Sequence, residues 1–192
     1  MIGYIVITLI LLVVLFAYVA TRPDTFRVQR SMSIEAPPEK IFPLINDLRK
    51  FSSWSPYEEL DPAMKRTYSG KLSGKGAVYA WQGNRRAGEG RIEVAHASPP
   101  SAVVMRLDFV RPFEAHNIVE FSLQSEGGAT KVTWTMRGSN DYFAKLLQLF
   151  FSMDKLVGKD FERGLANLKS IAEAQAKDEA PRRSEPQLVT AG

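Results

Sequence analysis

The sequence predicts an α+β protein: a seven-stranded curved antiparallel sheet wrapped around a long C-terminal helix, preceded by one N-terminal transmembrane helix. Three observations predict it. Residues 2–20 are an uncharged apolar run. Seven segments of alternating polarity then follow, six of them separated only by close turns. From Asp141 to Ala176 the apolar period changes from two to helical.

The elements follow in order. IGYIVITLILLVVLFAYVA, residues 2–20, is long enough at about 1.5 Å per residue to cross a hydrocarbon core of about 30 Å. Tyr4 and Tyr18 stand near its ends, where amphipathic rings prefer the interface. The competing reading is a cleaved signal peptide. Against it, no Lys or Arg precedes the run, and Tyr18-Val19-Ala20 is not a small-x-small site. Arg22, Arg27 and Arg30 follow an uncharged N-terminal flank, so the expected topology is single-pass in an inner or plasma membrane. The folded domain is then cytoplasmic and Met1 outside. Pro23 stops the helix.

Phe26, Val28, Met32 and Ile34 alternate as a strand. Ala36-Pro37-Pro38-Glu39 opens a helix whose stripe is Ile41, Phe42, Leu44, Ile45 and Leu48. Phe51, Trp54 and Tyr57 occupy a short turn. Strands are expected around Met64–Tyr68, Ala77–Gln82, Gly90–His96, Val103–Phe109, Ile118–Leu123 and Thr130–Arg137. Their short connections make hairpins, with Gly127-Gly128 the strongest turn signal. Leu147, Phe150, Val157, Phe161, Leu165, Leu168 and Ala172 form the stripe of the closing helix. Gly158 and Gly164 mark either a break in it or places of close packing on the sheet. Lys169 lies off the stripe, where an alanine is expected to change stability by about 0.5 kcal/mol at most. The domain spans residues 25–176. The polar, unperiodic stretch 177–192 reads as a disordered tail.

Composition narrows the chemistry. The 192 residues include no Cys and only two His, His96 and His116. Disulfide scaffolds, thiolate metal sites and Cys nucleophiles are excluded, and no H-x-x-H pattern suggests a metal centre. No cofactor and no metal are expected. Net charge is +4, which suits an anionic surface, but no basic–aromatic motif points to nucleic acid. Gly70 to Gly76 fails as a phosphate loop, being one residue short and lacking the Ser or Thr for magnesium. Glu58, Glu59 and Asp61 read as solvated loop charges. The sequence assigns no oligomeric state.

Four local features carry a family resemblance. Ile34-Glu35-Ala36-Pro37-Pro38-Glu39-Lys40-Ile41-Phe42 is similar to the strand-to-helix passage of the START-like, birch-pollen-allergen-like polyketide cyclase/dehydrase and lipid-transport superfamily (SRPBCC). Phe51-Ser52-Ser53-Trp54-Ser55-Pro56-Tyr57 resembles its F-x-x-W-S-P-W turn, with Tyr57 in place of the commoner Trp. Gly74-Lys75-Gly76 leading to Trp81, and Gly158 to Lys169, resemble two further motifs, the last from its membrane-anchored bacterial members. The resemblance covers about residues 25–175. It implies a helix-grip fold with a cavity for a hydrophobic ligand between sheet and closing helix.

Strict alternation points Arg30 inward, and Asp154 falls on the helix stripe. Either can orient a polar ligand end, or Arg30 can snorkel at the sheet edge while Met153 takes the inward place. His96 continues the parity of Ile92 and Val94. The expected cavity wall is Arg30, Trp54, Tyr79, Trp81, His96, Met105, Leu107, Trp134, Asp154 and Phe161. The function expected is membrane-anchored binding of a hydrophobic small molecule or lipid, with no catalytic residue assigned. A cyclase or dehydratase acting on a polyketide-like substrate, or a stress- or chaperone-linked interaction module, are the alternatives.

Overall fold

Residues Ile2–Ala20 form helix α1 in the computed structural model, which describes residues 1–140, 142–147 and 152–179. The side chains from Tyr4 to Tyr18 are exposed, and Val19 is buried. The helix is long and apolar enough to cross a membrane, a property that an anchor and a signal sequence share.

The first strand, β1 (Thr25–Ile34), leads into α2 (Pro38–Asn46) and two 3-10 turns at Phe51–Ser53 and Pro56–Leu60. Pro38 at the start of α2 has no amide hydrogen to leave unsatisfied there. Six strands follow: β2 (Lys65–Gly70), β3 (Ala77–Gln82), β4 (Glu89–Ser98), β5 (Ala102–Arg111), β6 (Ala115–Glu126) and β7 (Ala129–Ser139). All pair antiparallel in the order β1-β7-β6-β5-β4-β3-β2. The expected seven-stranded helix-grip is therefore the fold. Glu126 pairs with Ala129 across Gly127 and Gly128, both at positive φ, the geometry that a two-residue hairpin turn demands.

The closing segment begins as two helices, α3 (Tyr142–Leu147) and α4 (Met153–Glu179). Phe150, expected on the stripe, lies outside the described residues. Helix α4 runs unbroken through Gly158 and Gly164, so the glycines mark close packing and not a break. A Cβ on residue 164 would lie 2.8 Å from Trp134 and 3.0 Å from Pro56, and one on residue 158 would collide with the Arg30 guanidinium.

Helix α4 packs chiefly along β1. Phe161, Leu165, Leu168 and Ala172 are buried beneath it. At its far end Glu173 accepts the Glu35 amide hydrogen at 2.8 Å, which holds this carboxyl below its ordinary range. Lys169 Nζ donates to the Ser33 carbonyl at 2.9 Å. Lys169 is thus a tie between helix and strand, and not the idle surface residue its position off the stripe suggests.

Candidate functional site: the concave face and its mouth

Alternation on each strand sends one set of side chains to the concave face. In the middle of the grip that set is closed up by rings. Trp134 stacks on Phe161 at 4.0 Å, and Trp54 meets Phe121 edge-on at 5.8 Å and Trp134 at 5.6 Å. The Trp54 indole donates to the Leu44 carbonyl at 2.9 Å. Trp134 is only 2% exposed, yet among the described residues its Nε1 has no hydrogen-bond partner. A buried donor left unmet costs about 1–3 kcal/mol.

Burial is graded along this face. Met105, Val94, Phe121 and Val119 are buried. Nearer the end of the sheet where β1 begins, Phe26, Leu107, Phe109 and Trp81 are only half-buried. The register places them together: Phe26 pairs with Gly138, Gly138 with Asn117, and Asn117 with Leu107. Phe109 pairs with Gly90, and Gly90 with Trp81. Gly90 is required there, since a Cβ would lie 2.7 Å from the Trp81 ring. Tyr68, Tyr79, Trp81 and Phe109 form a continuous ladder of ring contacts at 5.1, 6.0 and 5.8 Å. The concave face thus has an aromatic mouth at the end of the sheet nearest α1.

Apart from the Trp134 N–H, the polar groups described near this face have partners. The Tyr79 hydroxyl donates to Glu58 at 2.6 Å, and Arg66 Nε donates to the other Glu58 oxygen at 2.7 Å. Burial first, and the bond to Glu58 second, push the Tyr79 phenol far above its ordinary pKa, so it stays a neutral donor. Asp61 accepts the Asn84 amide hydrogen at 2.7 Å, joining the turn before β2 to the β3–β4 turn. Glu58 and Asp61 are therefore structural partners, which corrects their reading as solvated charges. Arg66 carried the missed signal. It shares the inward parity of Tyr68, and an inward Arg on a strand needs a carboxylate.

Arg30 does point inward, and it is clamped. Its guanidinium donates to Asp154 at 2.7 and 2.9 Å and to Glu162 at 2.7 Å. Asp154 chiefly, then Glu162, hold Arg30 charged. Arg30 in turn holds the Asp154 carboxyl below its ordinary range. That pairing supports the fold at neutral pH and fades as pH falls through the lowered Asp154 value.

His96 does not continue the inward parity. The β4–β5 register shifts between Val94 and His96, a bulge that inserts Ala95 and reverses every later side chain. His96 is exposed and bonds Ser98 at 2.8 Å, while Ala97 takes the place against the core. His116, also exposed, bonds Asp108 at 2.8 Å, which raises its pKa above the ordinary histidine value. Among the described residues no group of three or more metal-ligating side chains stands together.

Of the ten expected wall residues, Trp54, Tyr79, Met105, Trp134 and Phe161 lie in the buried interior, and Trp81 and Leu107 at the mouth. Arg30 and Asp154 form the clamp beside α4, and His96 stands apart. Two open hollows of about 330 and 320 Å³ lie over the outer face, one along β1, β7 and β6 with a polar lining, the other over β2–β5 beside Trp81.

The fold has known counterparts. It resembles the protein CV1439 from Chromobacterium violaceum at 13% identity and a TM-score of 0.55, covering 79% of this chain and 99% of that one. TTHA0849 from Thermus thermophilus is similar at 17% identity and a TM-score of 0.56, covering 79% and 99%. Ara h 8.0201 is similar at 11% identity and a TM-score of 0.51, covering 80% and 99%. No curated protein matches the chain. Residues 25–173 match the family described as polyketide cyclase / dehydrase and lipid transport. With almost the whole folded domain inside that match, the chain belongs to the polyketide cyclase / dehydrase and lipid transport family, for which hydrophobic ligands are the expected class.

Proposed function

We propose that this protein is a membrane-anchored binder of a hydrophobic small molecule or lipid, received at the aromatic mouth of the concave face. The observation that carries this reading is the graded burial of that face. Trp81, Leu107 and Phe109 keep apolar surface exposed beside a sealed interior, at the end of the sheet that α1 enters. Half-exposed aromatic side chains converging on one concavity are the ordinary lining of an apolar ligand site. On this reading α1 is an uncleaved anchor. Arg22, just beyond its end, favours a domain on the cytoplasmic side of an inner or plasma membrane.

The test is native mass spectrometry of the full chain released from mild detergent, comparing the wild type with Leu107→Glu. The wild type is expected to retain one apolar molecule per chain. Leu107→Glu is expected to lose it while keeping the loosely held lipid around α1, because a carboxylate at the mouth opposes apolar contact. Identical bound species in both proteins, or none beyond loosely held lipid in the wild type, overturn the reading.

A further inference from the structure

Thr25 pairs with Ser139, Phe109 with Ala115, Arg111 with Glu89, and Glu89 with Gln82. These pairs bring the β5–β6 turn and the β3–β4 turn to the end that α1 enters. Val110, near the end of β5, and Phe113, in the β5–β6 turn, are exposed, Phe113 by 65%. Arg85 and Arg86 belong to the β3–β4 turn and are also exposed. Lys65 is exposed at this end as well, while several other charges here are engaged. Arg111 pairs with Glu89, and His116 with Asp108 and Glu114. Asp61 binds the β3–β4 turn. Among the described residues, neither Arg85 nor Arg86 has an ion-pair partner.

Helix α3 fixes how this end stands relative to α1. The Tyr142 hydroxyl donates to the Phe16 carbonyl at 2.9 Å, and the two rings stack at 6.0 Å. Lys145, buried, pairs with Asp24 in the connector. Phe16 is four residues before the end of α1, roughly 6 Å along the axis at 1.5 Å per residue. Tyr142 therefore stands at the depth where a transmembrane helix leaves the hydrocarbon and amphipathic rings settle. The domain cannot swing freely on its connector while these contacts hold.

We propose that this end of the domain is a second membrane-contact surface, resting on anionic phospholipid. Phe113 and Val110 enter the headgroup–acyl boundary, and Arg85 and Arg86 meet lipid phosphates. The proposal rests on the reading of α1 as an anchor. An exposed aromatic beside unpaired guanidinium groups, on the face that α1 turns toward the bilayer, matches the chemistry of an interfacial contact. The mouth of the concave face then opens against lipid and not against bulk water.

The test uses the full chain in vesicles of phosphatidylcholine, with and without phosphatidylglycerol. The protein has no Cys, so Phe113→Cys, Leu72→Cys and Val13→Cys each carry a single environment-sensitive fluorophore. Leu72 is exposed in the β2–β3 turn at the opposite end of the sheet. Lipids bearing a quencher near the headgroup are expected to lower emission at residue 113 at least about twofold in anionic vesicles and to leave residue 72 unchanged. Adding Arg85→Glu and Arg86→Glu is expected to bring residue 113 back toward the residue 72 value. A label at residue 13 is expected to respond to a deep quencher. If residue 13 responds and residue 113 does not, or if residue 72 is quenched as strongly as 113, the contact surface is wrong while the anchor stands. If residue 13 is not quenched at any depth, the anchor reading fails and the contact surface with it.

Discussion

Replacing Phe161 by alanine is expected to destabilise the domain by about 3–5 kcal/mol. Phe161 is 1% exposed and lies flat on Trp134 with an interplanar angle of 8°. The lost ring leaves Trp134 uncovered on one face, in the middle of the cluster that Trp54 and Phe121 complete. Those rings are anchored elsewhere, Trp54 through Leu44, so collapse into the space is poor. Against a typical total of about 5–15 kcal/mol the variant is marginal or unfolded. Denaturant unfolding followed by tryptophan fluorescence measures it, with Gln175→Ala on the exposed face of α4 as the control within about 0.5 kcal/mol. Equal stability of the two variants would remove α4 from the core.

Gly164→Ala is expected to be the more instructive change, because its sign opposes helix propensity. Alanine returns about 1 kcal/mol to a helix interior. Here the added methyl would meet the Trp134 ring at 2.8 Å and Pro56 at 3.0 Å. Trp134 is held by Phe161 and Trp54, and Pro56 is buried in its turn. Neither can give way without moving α4 off the sheet. Overpacking of this kind costs about 1–3 kcal/mol, sometimes more, so the net effect is destabilising. Ala166→Gly, on the exposed side of the same helix, is expected to lose about 1 kcal/mol for the opposite reason. A Gly164→Ala protein as stable as the wild type would show that the glycine sets no approach distance.

These contacts also show where the sequence was informative. Strand parity and the change of period at residue 141 are short-range patterns, and they determine which faces are buried. The sheet, its hairpins and the inward direction of Arg30 were therefore legible. His96 was not, because a bulge adds one residue to β4 without altering its polarity pattern. The roles of Glu58 and Lys169 depend on elements far apart in the chain, β3 and β1 respectively. The aromatic mouth is likewise a product of register. Phe26, Leu107 and Trp81 share an end only after seven strands have paired.

The crossing of Arg30 over Gly158 links two positions that are far apart in the chain. With Arg30 in place, Gly158→Ala puts a methyl into the guanidinium and breaks its alignment with Asp154 and Glu162. With Arg30→Ala made first, the same methyl enters cleared space and returns about 1 kcal/mol of helix propensity. A double-mutant cycle is expected to show the alanine at 158 changing sign with its background. The order of substitution then matters historically. Either order first loses the clamp or disturbs it, but only in the background without Arg30 does the alanine at 158 offset part of that loss as helix propensity.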